Sequence, residues 1–583
     1  MRAARIGVFI CHCGPSPAGS VDCKKVAKFA SDLPNVVTTE EHSYLCSDQG
    51  QELIRRTIKD YKLNRVVMVA CSPQLYESAF RKACQEAGLN RFLLEIVNIH
   101  EKGSSIDLHH ERAATKKAKN LVSKAVAKAP MLKPGKQIET RVIQEALVIG
   151  GGVAGIQAAL DLADTGYKVY LVEKQPSIGG RMAQIDKTFP TMDCSICILA
   201  PKMSDAGRHK NIELLVNSEV TNVDGYVGNF NIKIREKPRF VSRKLCNGCG
   251  ECSKVCPIEV PNEFDANLIP RKAIYIPFAQ AVPASYSIDI DHCIRCYKCV
   301  EACQPAAIDF AQEPREIDLK VGTIVVATGA DVCDPSYLAS YGYLSSPNVI
   351  TSLEFERLIN AGGPSGGRLI RPSDMQIPKS VAFIQCVGSR SDRSQHLYCS
   401  AVCCMNTVKD SLLIKEHWPN TTIHVFYVDM RAFGKGFEDL FRRAVKEGVT
   451  FVRGLPSEVV ESRKTKNLFL NGEDTLSGKA YKLEFEIVVL SVGIEPRLDT
   501  DVIRRLLHLS RTPDGFLAEA HPKFGPVDTA TAGVFVAGCV ESPKDIKDSV
   551  TQASAAAARA SILMAKGKVK IDRIRGAQAK DAD

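Results

Sequence analysis

Short, wholly apolar runs punctuate the chain, and most lead into a small-residue turn or a helical pattern. Residues 6–10 (IGVFI) and 66–70 (VVMVA) read as buried strands, and residues 51–59 carry the spacing of a helix. Residues 116–129 predict a basic, alanine-rich helix, followed by a Pro/Gly-containing linker at 130–135. A new unit opens at Glu145, with a strand over 146–149, a run of glycines, a helix over 156–165 and a strand over 167–173. Further buried strands are predicted at 321–329, 381–388, 422–428, 485–493 and 533–538, and a helix over 549–565 closes the pattern. The alternation of strand and helix signals predicts an α/β fold.

Composition changes this picture in one respect. The 583 residues are 45% hydrophobic and 24% charged, ordinary for a folded chain, but 22 are cysteine. No apolar run of 18 residues is present, and MRAARIGVFICHCG has no h-region leading to a cleavage site. The expectation is a cytoplasmic chain whose cysteines ligate metal rather than form a disulfide framework. The formal charge of +10 does not by itself point to nucleic acid. Three four-thiolate 4Fe–4S clusters and one FAD, each carrying about −2, would bring it to about +2. Basic residues are also scattered, without aromatic interleaving, so no nucleic-acid partner is expected.

Gly150-x-Gly152-x-x-Gly155 follows a predicted strand and opens a predicted helix, and Glu173 ends the next strand. This is a dinucleotide fingerprint: glycines for the tight turn, the approach of backbone to pyrophosphate and close helix packing, and an acid for the ribose. Gly179, Gly180 and Arg181 follow closely, with Lys174 beside the acid. Ala327-Thr328-Gly329 ends a buried strand, and Ala537-Gly538 precedes the last helix. Together these pieces resemble the flavoprotein disulfide reductases, especially thioredoxin reductase, which implies FAD bound by Gly150, Gly152, Gly155, Glu173, Lys174, Gly180, Arg181, Ala327, Thr328, Gly329 and Gly538.

Two cysteine runs interrupt the flavin pattern. Cys246, Cys249, Cys252 and Cys256-Pro257 form the first, and Cys293, Cys296, Cys299 and Cys303 the second. This is the spacing of two-cluster ferredoxins, in which the fourth cysteine of each run crosses to the other cluster. Cys246, Cys249, Cys252 and Cys303 are therefore assigned to one 4Fe–4S cluster, and Cys293, Cys296, Cys299 and Cys256 to the other. Gln304 intervenes before Pro305, and 36 residues separate the runs, without changing the ligands.

Where a thioredoxin reductase would carry a second glycine motif, the chain reads Cys386-Val387-Gly388, with Cys399, Cys403 and Cys404 following. No GxGxxG/A can be drawn, and four cysteines within 19 residues suggest a cluster in place of a nucleotide. With Asp193-Cys194-Ser195-Ile196-Cys197, these features resemble the A-type, iron–sulfur flavoprotein subunit of heterodisulfide reductase along essentially the whole chain. The resemblance implies an oxidoreductase with a thioredoxin-reductase-like core of two dinucleotide domains, an inserted ferredoxin and an N-terminal α/β domain. The boundaries are expected at 1–135 for the N-terminal domain, 140–240, 316–378 and 499–583 for the FAD domain and tail, 241–315 for the ferredoxin and 379–498 for the degenerate nucleotide-type domain.

It also implies electron bifurcation at FAD, between a two-electron donor of hydrogenase or formate dehydrogenase type, disulfide-reducing B/C-like subunits, and ferredoxin, with a homodimer inside a larger complex. Competing readings are a relay that feeds a quinone or other module without bifurcation, and a stand-alone NADPH-dependent disulfide reductase. Methanogen members carry a further two-cluster ferredoxin domain beyond the point corresponding to Asp583, so a partner is expected to supply that route. The family places a cluster in its N-terminal domain. Cys11, Cys13, Cys46 and Cys71 are present here, but Lys102-Gly103-Ser104-Ser105 has Gly103 where the family has a ligand. Whether this domain holds a fourth cluster stays open, as does substitution by His109 or His110. Cys194 and Cys197 have the spacing of a redox dithiol, a gating pair or structural cysteines. Lys187 is a candidate for stabilising reduced flavin near its N5 atom, or a surface lysine.

Overall fold

The computed structural model describes residues 3–13, 21–71, 73–99, 111–392, 394 and 396–574. The chain divides into two compact units, one of residues 1–140 with 570–583 and one of residues 141–569.

In the first unit, four parallel strands stand in the order Val36–His42, Ile6–Cys11, Arg65–Ala70, Leu94–Asn98. The central pair is apolar almost throughout because helices cover both faces, as parallel sheets require. The predicted basic helix runs from Glu111 to Lys128, and the expected linker begins as a 3-10 turn, Ala129–Met131.

The second unit contains the same architecture twice. Its first sheet is five parallel strands, in the order Val534–Val536, Thr323–Val326, Glu145–Ile149, Lys168–Val172, Ile212–Leu215. Its second is ordered Val349–Thr351, Ile487–Val492, Ser380–Val387, Thr422–Tyr427, Thr450–Arg453, again all parallel. In each, three strands linked by helices lead into an antiparallel meander, which returns to a fourth strand beside the first. The meanders are Ser218–Tyr226, Asn229–Glu236, Arg315–Val321 and Glu458–Glu461, Leu468–Asp474, Lys479–Phe485.

Two predicted single strands are thereby each divided. The run 321–329 spans the end of the first meander and the strand Thr323–Val326, and 485–493 spans the end of the second and Ile487–Val492. Apolarity continues across both junctions because the meander packs on the same core that the sheet faces. Val349–Thr351 lies ahead of the expected boundary at 379 yet pairs with Ile487–Val492, so the second sheet recruits its edge strand from upstream.

The cysteine-rich insert leaves the first meander after Glu236 and re-enters at Arg315. It has little regular structure: two one-turn helices, Glu251–Lys254 and Lys298–Glu301, and two short ribbons. Its own core is small, built from Phe240, Val241, Ile274, Ile288, Ala307 and the buried Cys252 and Cys299. A buried polar joint ties it down. Arg357, in the helix Ser352–Ile359, has a side chain 2% exposed. It donates from Nε to Asp265 Oδ1 of the insert (2.9 Å) and from Nη1 to the Gln184 carbonyl (2.9 Å), with its guanidinium over the Phe264 ring. Removing one member of such a pair strands the other charge in low dielectric.

Arg357→Ala should therefore cost about 3–5 kcal/mol. The check is a thermal denaturation midpoint alongside limited proteolysis of the insert. An unchanged midpoint and an equally protected insert would show that the joint does not hold the insert in place.

Candidate functional site

The fingerprint glycines form a cradle at the carboxyl edge of the first sheet. Gly150 has φ +108°, and a Cβ there would lie 2.4 Å from the Ala327 carbonyl oxygen. A Cβ on Gly155 would approach the Gly150 carbonyl oxygen to 1.8 Å, so helix and turn touch only because residue 155 is glycine. Gly152 differs: a Cβ there would meet nothing within 4 Å. It caps the helix Val153–Asp164 without a side-chain hydrogen bond, leaving the first-turn amides directed at open space. This combination of uncapped amides, positive helix end and vacant approach suits a pyrophosphate. Glu173 closes the turn by accepting from the amides of Gly151 (2.7 Å) and Gln175 (2.8 Å), and burial raises its carboxyl despite those bonds. Lys174 pairs with Asp499, while Arg181 is exposed and 3.7 Å from Asp331. Gly538 donates its amide to Gln552 Oε1 beside the last helix, and Thr328 and Gly329 follow the strand Thr323–Val326 at the same edge. The residues present fit FAD.

Downstream of Gly180 the chain turns through Lys187, which is half-buried and bridges Cys194 backbone to backbone. Cys194 and Cys197 are joined as a disulfide at the start of the helix Ser195–Arg208, with Cys197 exposed. Behind this turn lies a group that the sequence pattern does not announce. The amide of Asp186 donates to Glu356 Oε2 (2.9 Å), and Glu356 is ion-paired with Lys409, whose side chain is fully buried. Lys409 Nζ is also 3.0 Å from Asp410 Oδ1. Burial pulls the Lys409 ammonium down, but Asp410 and Glu356 outweigh it and hold it above the usual lysine value. Burial and then Glu356 push the Asp410 carboxyl well above its usual range, Lys409 notwithstanding. One cation thus faces two carboxylates, and of these Asp410 is pushed toward its protonated form. A lysine in a helix with no glycine motif nearby gives no pattern by which to find it.

In the insert, Cys256, Cys293, Cys296 and Cys299 line one cavity with Ile258, Ala273 and Phe310. Cys252 faces Cys246, Cys303 and Cys249, and burial followed by those thiols pushes it up to about 12. Burial, then Cys293 and Cys296, raises Cys299 to about 11. Thiols this reluctant to ionise give up their protons to a bound metal, so cluster loading and proton release are linked.

Cys386, Cys399, Cys403 and Cys404 converge on a second cavity, also lined by Arg390, Asp429 and Arg431. Cys403 is the first residue of the helix Cys403–His417, which follows the strand Ser380–Val387 as Val153–Asp164 follows Glu145–Ile149. The four thiols thus occupy the position that the pyrophosphate cradle has in the first sheet. The helix again lacks a side-chain cap. Burial raises Cys386 to about 11 and Cys403 well above its ordinary value.

In the first unit, Cys13 Sγ lies 3.7 Å from Cys71 Sγ. Burial raises Cys71 to about 12, with Cys13, Cys11 and Cys46 adding to it, so all four sulfurs gather at the carboxyl edge of that sheet. Gly103, His109 and His110 lie outside the described residues.

Comparison with known proteins gives this geometry its family. Residues 145–190 match the FAD dependent oxidoreductase model, and residues 245–308 the 4Fe-4S dicluster domain model. An A-type iron–sulfur subunit of CoB–CoM heterodisulfide reductase from Methanopyrus kandleri, the second of two such chains, is 56% identical over 98% of this chain and 87% of its own. The A-type subunit of the H2:CoB–CoM heterodisulfide,ferredoxin reductase of Methanothermobacter marburgensis is 53% identical over the same shares. Its counterpart in the H2/formate:CoB–CoM heterodisulfide,ferredoxin reductase of Methanococcus maripaludis is 47% identical over 99% of this chain and 88% of its own. Among solved structures, thioredoxin reductase of Lactococcus lactis aligns over 73% of this chain and 99% of its own, at 15% identity and a TM-score of 0.41. No helix among the described residues is long and apolar enough to cross a membrane. At such identity over nearly its whole length, the chain belongs to the family of A-type heterodisulfide reductase subunits, the FAD- and 4Fe–4S-dependent oxidoreductases of these complexes.

Proposed function

We propose that the chain is the electron-distributing subunit of a cytoplasmic heterodisulfide reductase complex. It accepts electron pairs from a hydrogenase- or formate-dehydrogenase-type partner and sends single electrons along two routes, to a B/C-type disulfide-reducing partner and to ferredoxin. The names of the Methanothermobacter and Methanococcus relatives, which join H2 or formate, heterodisulfide and ferredoxin, support this reading. So does one feature of the chain itself: four thiols stand at the helix N-terminus where a reductase would bind a second nucleotide. A protein with a cluster there takes its electrons from another protein, not from a diffusing nicotinamide.

FAD, when bound, supplies the exchange between two-electron and one-electron chemistry. The chain's residues would do the rest. Gly150, Gly152 and Gly155 bring amides to the pyrophosphate and Glu173 meets the ribose. Asp186 donates its amide to Glu356, one of the buried group Lys409, Glu356 and Asp410, which would hold a proton away from water. Cys246, Cys249, Cys252 and Cys303 hold one cluster, Cys293, Cys296, Cys299 and Cys256 a second, and Cys386, Cys399, Cys403 and Cys404 a third. Cys11, Cys13, Cys46 and Cys71 are the residues available for a fourth. The Cys194–Cys197 disulfide, beside Lys187, is the chain's candidate for a redox or gating pair.

The anaerobically purified chain should contain about 12 iron atoms, or about 16 if the N-terminal thiols also hold a cluster. Cys403→Ala should lower that count by about four, and an unaltered iron content would remove the third cluster from this position. NADH and NADPH should leave the flavin oxidised; stoichiometric bleaching by NADPH would restore the reductase reading. Gly152→Ala, whose new methyl meets only open space, should fold and keep its iron but lose FAD. Full flavin occupancy in that variant would mean the pyrophosphate lies elsewhere.

A further inference from the structure

Close to the third set of cysteines, but on different side chains, a second group of metal-ligating atoms converges. Cys333 follows the two-residue strand Asp331–Val332, which pairs antiparallel with Ile494–Glu495, Asp331 standing opposite Glu495. The Cys333 amide donates to the Gly493 carbonyl (2.8 Å), which fixes the thiol beside that ribbon. His396 comes from the loop between Cys386 and Cys399. The sulfur, an imidazole nitrogen and a carboxylate oxygen of Cys333, His396 and Glu495 all lie within 4.8 Å of one another.

Two observations separate this group from ordinary packing. His396 Nδ1 is 3.1 Å from the Gly388 carbonyl oxygen, the contact that fixes the tautomer of a ligating histidine and frees Nε2. Nε2 faces Glu495 at 4.0 Å, too far for a hydrogen bond and wide enough for an ion between them. The thiol makes only long sulfur hydrogen bonds, to the Asp334 carbonyl at 3.8 Å and with the Tyr337 hydroxyl at 4.0 Å. Gly388 is also required here, because a Cβ on it would lie 2.2 Å from Cys333 Sγ. None of the three residues lines the cavity of Cys386, Cys399, Cys403 and Cys404.

We propose that Cys333, His396 and Glu495 bind a single zinc ion, independent of the iron–sulfur clusters, with water as its fourth ligand. One thiolate, one imidazole and one carboxylate are a donor set that zinc takes in tetrahedral geometry. Binding converts the Cys333 thiol to a zinc-bound thiolate and releases one proton to solvent, with no change of oxidation state. Burial, with Glu495 and Asp334 adding to it, raises that thiol in the metal-free chain. Asp331 and Asp334 add negative charge around Glu495. The ion would fasten the ribbon at 331–333 and 494–495 to the loop between Cys386 and Cys399.

The test uses the full chain, purified anaerobically with its iron and flavin in place and dialysed against zinc chloride. Elemental mass spectrometry should find about one zinc per chain, and zinc K-edge absorption should find one sulfur with nitrogen and oxygen neighbours. A four-sulfur zinc signal would place the metal in an emptied cluster site and overturn the proposal. Cys333→Ser and His396→Gln should each lower zinc at least about tenfold while iron and FAD per chain stay unchanged. Zinc retained in both variants, no zinc in the native chain, or iron lost together with zinc would each overturn it. Iron content is read separately, so failure here is distinct from failure of the three-cluster reading.

Discussion

A strand that feeds a helix at the carboxyl edge of a parallel sheet leaves the helix's first amides without partners, and something negative must meet them. The second unit faces this constraint twice. At Val153–Asp164 the answer is glycine, which clears a path for a phosphate to reach the amides. At Cys403–His417 the answer is sulfur: four thiols gather around the helix start, where a nucleotide's phosphates would otherwise stand. One architecture thus presents either glycines or thiols at the helix start without altering its strand order. The side chains in the turn after the first strand decide which.

The same duplication explains what the residues alone made legible. The glycine cradle, the ferredoxin spacing and the Cys386–Cys404 group are local in sequence, and their chemistry shows in the residue types. The alternation of apolar runs likewise marks the α/β class. The second copy of the sheet is expected as a degenerate nucleotide-type domain at 379–498; what the pattern does not mark is its edge strand Val349–Thr351, which is short and lies upstream of that range. The breaks at Val321/Thr323 and Phe485/Ile487 were hidden because apolarity does not stop where the chain passes from meander to sheet. Cys333, His396 and Glu495, and likewise Glu356 and Lys409, are far apart in sequence and meet only through topology.

Buried charge is the other recurring constraint in this molecule. Lys409 with Glu356 and Asp410, and Arg357 with Asp265, sit where water does not reach, and each ion is tolerated only because its neighbours neutralise it. Both groups draw on the helix Ser352–Ile359, which supplies Glu356 and Arg357 at successive positions. One residue turns toward the Asp186 loop, the other toward the insert. The flavin-side turn and the ferredoxin insert are therefore referenced to a single short helix.

The place where the insert enters has an evolutionary meaning. Glu236 and Arg315 are paired neighbours in the first meander. In the second meander the equivalent junction is the turn between Asp474 and Lys479. Because the two ends of the insert start one strand spacing apart, a long segment can replace a short turn at a loop-closure cost that grows only logarithmically with length. The ferredoxin reads as a graft onto a hairpin tip. A flavoprotein ancestor could have gained two clusters in one insertion without disturbing a hydrogen bond of its sheets, and a descendant could lose them as simply.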